Sequence, residues 1–500
     1  MLDSIIRQAF VKAYQWLEYF SINIKRLFCC LLIITSQPQL GYASALPVIH
    51  SENSIKISQQ EEHRLGKLVA GNIRNKLPLW QDLAAVAFIK GLTQPLISRS
   101  QLNDKRIEIF IVNNPRINAF AAPGGVIGIN TGLIESVESV DELVSVLAHE
   151  VAHLSLRHYA RTQQRAQAQG PLYFGALIAS IWLAGQVDAN VGEAGVHATL
   201  SAMQRSKLSY SRLHEREADR VGFELMYQSP FDVSKMQTLL ERLNTPSVTD
   251  SPKWQWARSH PITNERIADI SQRTLITQKP VSKHGYELAF DILKVYQRAS
   301  IANNDPLTKK ALLKSIDPLS AHYSVVSMFA QALVNQANTH MEIAQAQLEK
   351  LSLANPNASL IWYQWMQNLL QQGKTQAVFE QLKLRKEYRA ANNLSRWIKT
   401  QALRKNNENA ASISSLIELL EEYPTWLLGW QTLADWSAKD QRLQLNHVAK
   451  ARWHLLRAES DLALSQAHFA SLQVADSQAG SVNGLKQRIL NQIEDKAKFN

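Results

Sequence analysis

The feature that most constrains the fold of this chain is the segment LAHEVAHLSLRH at residues 147–158. His149 and His153 are four positions apart, so in a helix both side chains lie on one face, with Glu150 beside them. Two imidazoles and an adjacent carboxylate on one helix indicate either a metal site with a base next to it or a chance pattern in an apolar run. If it is a metal site, the fold must bring a further ligand to this helix.

The first 45 residues are typical of a secretory signal peptide. Lys25 and Arg26 precede the apolar stretch LFCCLLIITS, and the small residues at 43–45 form a cleavage pattern. We therefore expect cleavage near Ala45. An uncleaved anchor is the alternative, but the apolar stretch is shorter than the roughly 20 residues that span a bilayer.

Composition narrows the chemistry. The two cysteines, Cys29 and Cys30, both lie in the predicted signal peptide, so the processed chain has no thiol for catalysis or metal binding. A metal must be held by His, Asp and Glu. The net charge of +11 is spread along the chain without a basic block, which argues against nucleic acid as a partner and leaves peripheral contact with a membrane open.

The pattern along the chain predicts an α+β fold that is mostly α. Five hundred residues exceed one core, so two or more domains are expected. Alternation predicts a strand at 106–113 and two more on either side of the turn at 123–125, and either the strand at 106–113 or the one at 126–130 could pair with a substrate backbone. Helices are expected over 56–97 (two), over 140–157 and from near residue 209 to 226. The apolar segment 171–186 is either a buried helix or a patch that contacts membrane or unfolded substrate.

After about residue 275 the pattern is almost entirely helical and repeats. Pro356 and Pro424 are 68 residues apart, twice 34, and Trp397 follows Tyr363 by 34. A period of 34 with small, aromatic and proline positions is typical of tetratricopeptide repeats. We predict a signal peptide over 1–45, a first domain over 46–275 and a tetratricopeptide-repeat domain over 276–500, with a plain helical bundle as the alternative for the last.

The third ligand is expected in SRLHEREAD at 211–219. Glu215 and Asp219 are four apart, which is the pattern of a metal ligand and a second carboxylate that accepts the other N–H of a bound imidazole. Glu215 alone could be a solvated helix carboxylate, as Glu217 is expected to be. His158 lies off the face of the two other histidines and is expected to be structural or on the surface. Together the motifs favour a metallopeptidase.

Four segments carry a resemblance to the HtpX-like gluzincin zinc metallopeptidases. NAFAAPGG at 118–125, HEVAH at 149–153, SRLHEREAD at 211–219 and SHPITNERI at 259–267 follow one another as in that family, and the similarity covers roughly residues 55–275. The resemblance implies a gluzincin-type domain with a small β-sheet that binds one Zn²⁺ through His149, His153 and Glu215. It implies that Glu150 is the catalytic base and that Asp219 is essential, either as a proton donor or, as its spacing favours, as an orienting carboxylate.

A signal peptide in front and repeats behind make the chain similar to periplasmic members of this family. What this implies is a Gram-negative periplasmic endopeptidase that degrades misfolded or stalled outer-membrane β-barrel proteins and assists their assembly, with the β-barrel assembly machinery as a partner of the repeat domain. The alternative is a chaperone or assembly adaptor whose repeats bind barrel precursors, since concave helical-repeat surfaces suit such contacts.

His260, in SHP, has three interpretations. It is a structural histidine at a helix start, packed by Pro261; a fourth zinc ligand that displaces the water and keeps the enzyme latent; or a donor to the oxyanion of the tetrahedral intermediate. Arg266 could serve in the last role, although a helix salt bridge is the simpler expectation.

Overall fold

The computed structural model describes residues 58–166, 212–245, 253–277, 284–301, 311–385 and 393–473, together with positions 488, 491 and 492. The predicted signal peptide and the apolar segment 171–186 lie outside these residues. No helix in the described ranges is both long and apolar enough to span a membrane.

Two capped helices come first, α1 at Gln59–Lys76 and α2 at Leu83–Arg99. Ser58 and Glu61 form a reciprocal capping box at the start of α1, and the Asp82 side chain accepts a hydrogen bond from the backbone of Ala85 at the start of α2. These side chains satisfy backbone N–H groups that have no partner within a helix, and so determine where each helix begins.

Three short strands form one sheet, with β1 at Glu108–Val112, β2 at Ala119–Ala122 and β3 at Val126–Asn130. β3 lies in the centre, parallel to β1 and antiparallel to β2. The β2–β3 turn requires its two glycines. Gly124 and Gly125 have φ of 75° and 81°, and a Cβ on either would lie 2.6–2.7 Å from a backbone oxygen.

The helices that follow the sheet surround one that is buried over nearly its whole length. That helix is α4, Val140–Ser155, which carries HEVAH, and its residues 140–153 are all buried. It packs against β2, α2 and two later helices, α6 at Arg212–Tyr227 and α7 at Ser234–Leu243. It ends at Ser155, two residues before the predicted end, and Arg157 has a positive φ of 51°. The helices of this region are α3 Thr131–Ser136, α4 Val140–Ser155, α5 His158–Ala166, α6 Arg212–Tyr227, α7 Ser234–Leu243, α8 Gln255–Ser259 and α9 Asn264–Thr277.

A glycine allows α6 to cross close to α4. An added Cβ on Gly222 would lie 3.2 Å from the backbone nitrogen of His149 and 3.3 Å from the carbonyl oxygen of Ala148. The close approach places the preceding turns of α6, which carry Glu215 and Asp219, beside the two histidines of α4.

From residue 287 the secondary-structure elements of the described chain are all helical, which confirms an α+β fold that is mostly α. Pairs of contacting helices recur every 34 residues: one helix of each pair begins at 341, 375, 409 and 443, and the next helix along the chain begins at 359, 393 and 427. The assignment of these pairs to the tetratricopeptide class stays a prediction. The helices are α10 Glu287–Ile301, α11 Tyr323–Ala337, α12 Met341–Ala354, α13 Ser359–Gln371, α14 Thr375–Arg385, α15 Asn393–Lys405, α16 Asn409–Glu422, α17 Leu427–Lys439, α18 Leu443–Leu456 and α19 Ser460–Leu472.

The helices after residue 287 pack against the first part of the described chain. Apolar residues of α2 and α4 share one core cluster with those of α10 to α17, and the Tyr296 hydroxyl donates to Asp82 at 2.6 Å. At the other end, Arg74 of α1 donates to the carbonyl of Leu456 at 3.1 Å. Residues from Ile57 to Asn500 accordingly form one compact unit, within which a domain boundary near 275 stays a prediction.

Candidate metal centre

Four buried side chains converge between α4, α6 and the residue that follows α8. One donor atom from each of His149, His153, Glu215 and His260 lies within 4.8 Å of the others. His149 Nε2 is 2.9 Å from His153 Nε2 and 3.3 Å from Glu215 Oε2. The structure therefore brings together the three side chains that are predicted from the sequence to be metal ligands, and it places His260 beside them.

The charges buried around this cluster suit a divalent cation. Glu150, Glu215, Asp219 and Arg266 are each at most 1% exposed, and three carboxylates against one guanidinium leave two negative charges if the imidazoles are neutral. Uncompensated charge is costly in a protein interior. Imidazole nitrogens with one carboxylate are donors that zinc and neighbouring divalent transition metals accept, so these residues fit the metal that the motif implies.

The surrounding charges and burial shift the pKa values of the two helix histidines in opposite directions. Burial by itself lowers the pKa of His149, but hydrogen bonds with Asp219 and Glu215 outweigh it and raise that pKa to about 9. Burial, followed by the charge of His149, lowers the pKa of His153 well below its usual value. A metal binds the unprotonated nitrogen of an imidazole, so its binding at these histidines depends on pH.

Asp219 lies where an orienting carboxylate is needed. Its Oδ1 is 3.0 Å from His149 Nδ1, so with the proton on Nδ1 the Nε2 lone pair faces the cluster. Arg266 holds Asp219 through contacts of 2.6 and 2.8 Å and lies 3.2 Å from Glu215 Oε2. Arg266 thus joins α9 to α6 as a buried ion pair.

One carboxylate oxygen of Glu150 accepts a hydrogen bond, and the other has no hydrogen-bond partner among the described residues. Its Oε1 accepts a hydrogen bond from Trp256 Nε1 at 3.0 Å, whereas Oε2 is buried with no hydrogen-bond partner among the described residues. A buried carboxylate oxygen beside a cluster of candidate metal ligands is placed to accept a hydrogen bond from water. Sequence reasoning missed Trp256. The signal that could have found it is its position four residues before His260, whose ring stacks on it with centroids 5.2 Å apart.

His260 is buried in the cluster itself. Its Nδ1 lies 3.1 and 3.2 Å from the two carboxylate oxygens of Glu215 and 3.2 Å from His149 Nε2. Its Nε2 is 3.6 Å from Glu150 Oε1. The ring therefore faces the candidate ligands and base.

His158 and Glu217 lie together behind His153. His158 is fully buried, which rules out its placement on the surface, and Glu217 is not a solvated carboxylate because it contacts both His158 and Arg161. Burial by itself raises the pKa of Glu217, but the hydrogen bonds from His158 and Arg161 outweigh it and lower that pKa to about 2.

The two strands expected to receive substrate are already paired. β3 has a neighbour on each side, and the outer edge of β1 meets residues 78–80, where Trp80 N donates to Ile111 O at 2.8 Å and Asn113 N donates to Pro78 O at 2.7 Å. The expectation for β3 was therefore wrong, because a strand lies on each of its sides, whereas at β1 these two hydrogen bonds occupy the end of the outer edge near Ile111. β2 forms the other edge of the sheet and packs against α4.

Comparison with known proteins places this site in a family context. Residues 87–274 match the family model described as Peptidase family M48. The chain is 30% identical over 231 residues to the beta-barrel assembly-enhancing protease of Escherichia coli, covering 46% of this chain and 47% of that protein. It is 26% identical over 415 residues to the protein of the same name from Yersinia pestis, covering 82% and 84%. It is also 30% identical over 185 residues to the mitochondrial metalloendopeptidase OMA1 of Schizosaccharomyces pombe, covering 37% and 52%. In the Escherichia coli match, the chain spans about half the length of the relative.

Replacing Arg266 by methionine tests the buried ion pair. Arg266→Met leaves the carboxylates of Asp219 and Glu215 without their buried cation, and we expect the free energy of unfolding of the metal-free protein to fall by about 3–5 kcal/mol in a urea titration. Arg273→Met is the matched control on the same helix, because its pair with Asp269 is partly exposed and is expected to contribute about 0–1 kcal/mol. Equal losses in the two variants would contradict the role of Arg266.

Proposed function

The chain belongs to peptidase family M48 through residues 87–274, and on this premise we propose that it is a zinc-dependent endopeptidase. The observation that carries the proposal is the convergence of His149, His153 and Glu215 beside a buried carboxylate oxygen of Glu150 that has no partner in the described chain. Ligand donors and an unsatisfied base in one place are what metal-assisted peptide hydrolysis needs.

We assign one Zn²⁺ per chain to His149, His153 and Glu215. When bound, zinc lowers the pKa of a water towards about 7 and polarises the substrate carbonyl. Asp219 keeps His149 in the tautomer that presents Nε2, and Arg266 keeps Asp219 charged and in place. The ligands are thereby held in position before substrate arrives.

Glu150 acts as the general base and then as the general acid. Its Oε2 accepts the proton of the attacking water and passes it to the leaving amine, as the position of this oxygen allows. Trp256 holds Oε1, which keeps the carboxylate from turning away from the reacting water. No further proton carrier is required for this cycle, which favours the orienting role of Asp219 over that of a proton donor.

Substrate is proposed to bind in extended form, with its backbone paired as an added strand near α4, the helix that carries Glu150. Backbone pairing selects extended conformation more than sequence, which suits unfolded or stalled chains.

We further propose that the enzyme acts in the periplasm after cleavage near Ala45. In this proposal it degrades misfolded or stalled outer-membrane β-barrel proteins and assists their assembly. The support is the names of the relatives from Escherichia coli and Yersinia pestis, together with the signal-like N-terminus. The helical pairs with a 34-residue period support a tetratricopeptide surface that contacts the β-barrel assembly machinery.

The same helical pairs favour a second candidate function, that of a chaperone or assembly adaptor. They make up the greater part of the described chain after residue 323. A surface of this size could bind barrel precursors without cleaving them. The two functions are separated by a variant that binds metal and substrate but does not cleave.

Glu150→Gln is that variant. It keeps the size of the side chain but loses the base, so we expect zinc content to be unchanged and casein cleavage to fall by about 10²-fold or more, measured by peptide release. Glu224→Gln, an exposed change on α6, is the control and should cleave like wild type. Wild-type cleavage by Glu150→Gln would end the peptidase assignment. Full rescue of an envelope defect by this variant would make binding the main function.

His260→Ala tests the latent state. The ring of His260 occupies a fourth donor position in the cluster, and we propose that it competes there with the attacking water. If the open state is about 10% populated, removing the ring raises casein cleavage by up to about tenfold, with zinc content unchanged. His322→Ala, a change in the helical region, is the control. A fall in cleavage with zinc retained would contradict the gate and favour the oxyanion role.

A further inference from the structure

The two histidines assigned to the metal have different partners at their outer nitrogens. His149 Nδ1 meets the carboxylate of Asp219 directly, whereas His153 Nδ1 lies 2.7 Å from Nδ1 of a third histidine, His158. We propose that His158 and Glu217 are positioning residues that form a hydrogen-bonded chain to His153 and fix its tautomer and ring orientation. The inference rests on the proposed metal site and deepens it.

The donors and acceptors along this chain determine one another. For His153 to present its Nε2 lone pair to a cation, its proton must be on Nδ1, which then donates to His158 Nδ1. His158 consequently carries its own proton on Nε2. That nitrogen is 3.0 Å from Glu217 Oε2, which accepts it. In this arrangement each nitrogen of the two rings faces a partner, namely the cation, the other ring or Glu217.

His214 and Arg161 hold His158 and Glu217 in place. The ring of His214 stacks on that of His158, with centroids 4.3 Å apart and an angle of 11° between the planes. Arg161 Nη1 donates to Glu217 Oε2 at 2.6 Å, which keeps this carboxylate charged and fixed. His158, Arg161 and His214 are buried, so water has little access to compete for these hydrogen bonds.

A second metal is the main alternative, because ligand atoms of His158, His214 and Glu217 also lie within 4.8 Å of one another. The stacking argues against it. A metal lies close to the plane of each imidazole that binds it, and two nearly parallel planes do not meet near the rings. Arg161 also brings a positive charge to the carboxylate that a second cation would need.

One helix thus controls both histidines of α4. α6 carries the ligand Glu215, the carboxylate of Asp219 that contacts His149, and the carboxylate of Glu217 that reaches His153 through His158. Loss of an outer hydrogen-bond partner weakens metal binding by about 10–100-fold in comparable sites.

Two substitutions of His158 separate the hydrogen bond from the packing. His158→Asn loses the stacked ring but places an amide oxygen near the position of Nδ1, where it can accept from His153. His158→Phe keeps a ring on His214 but has no acceptor. We expect zinc affinity, measured by competition with a chromophoric chelator, to fall by about 10–100-fold in His158→Phe and by less than about tenfold in His158→Asn.

Two substitutions of Glu217 repeat the comparison from the other end. Glu217→Gln and Glu217→Leu both lose the charge that pairs with Arg161, but only glutamine keeps an oxygen that accepts from His158. Zinc affinity should therefore fall more in Glu217→Leu than in Glu217→Gln. Glu224→Leu on the same helix is the control and should bind zinc like wild type. If His158→Phe does not fold, as judged by circular dichroism of the metal-free protein, the Glu217 pair decides the question.

Four results would overturn the inference. If His158→Phe or folded Glu217→Leu binds zinc with wild-type affinity, the hydrogen-bonded chain to His153 has no role in metal binding, but the proposed function is unaffected. A weaker affinity in His158→Asn than in His158→Phe shows that packing, not hydrogen bonding, is the role of this ring. Two zinc ions per wild-type chain, with one lost in Glu217→Leu, assigns these residues to a second metal. Absence of zinc binding by wild type overturns the proposed function and this inference with it.

Discussion

The excess of negative charge buried between α4 and α6 is the constraint on which the rest of the site depends. Glu150, Glu215 and Asp219 are all enclosed by protein, and Arg266 is the guanidinium buried with them. A protein interior tolerates this net negative charge only if further positive charge balances it. A divalent cation held by the histidines and Glu215 would balance this charge.

The packing of α6 on α4 makes this arrangement possible. Gly222 lets the two helices approach closely, so a single face of α6 meets the histidines of α4. The carboxylates of α6 then serve the two histidines in different ways, one through a direct contact and the other through an intervening imidazole. Small displacements of α6 would change ligand and outer contacts together, which explains why Arg266 ties it to α9.

The parts of this site that the sequence predicts are those set by helical periodicity. His149 and His153 share a face because they are one turn apart, and Glu215 and Asp219 follow the same rule on α6. The roles of His158, Glu217 and Trp256 depend instead on contacts between segments far apart in the chain. Trp256 and Glu150 are separated by 106 residues, and no local pattern specifies that they meet. The strands show the same limit, since alternation predicts them but not which edges remain for a substrate.

The most direct test of the account is the metal content of the purified protein, wild type against Glu215→Gln, by inductively coupled plasma mass spectrometry. Glutamine keeps the shape of the side chain but removes one buried negative charge and an anionic ligand. The account predicts about one zinc per wild-type chain and a large loss in the variant. Equal zinc in both proteins, or none in the wild type, would contradict it.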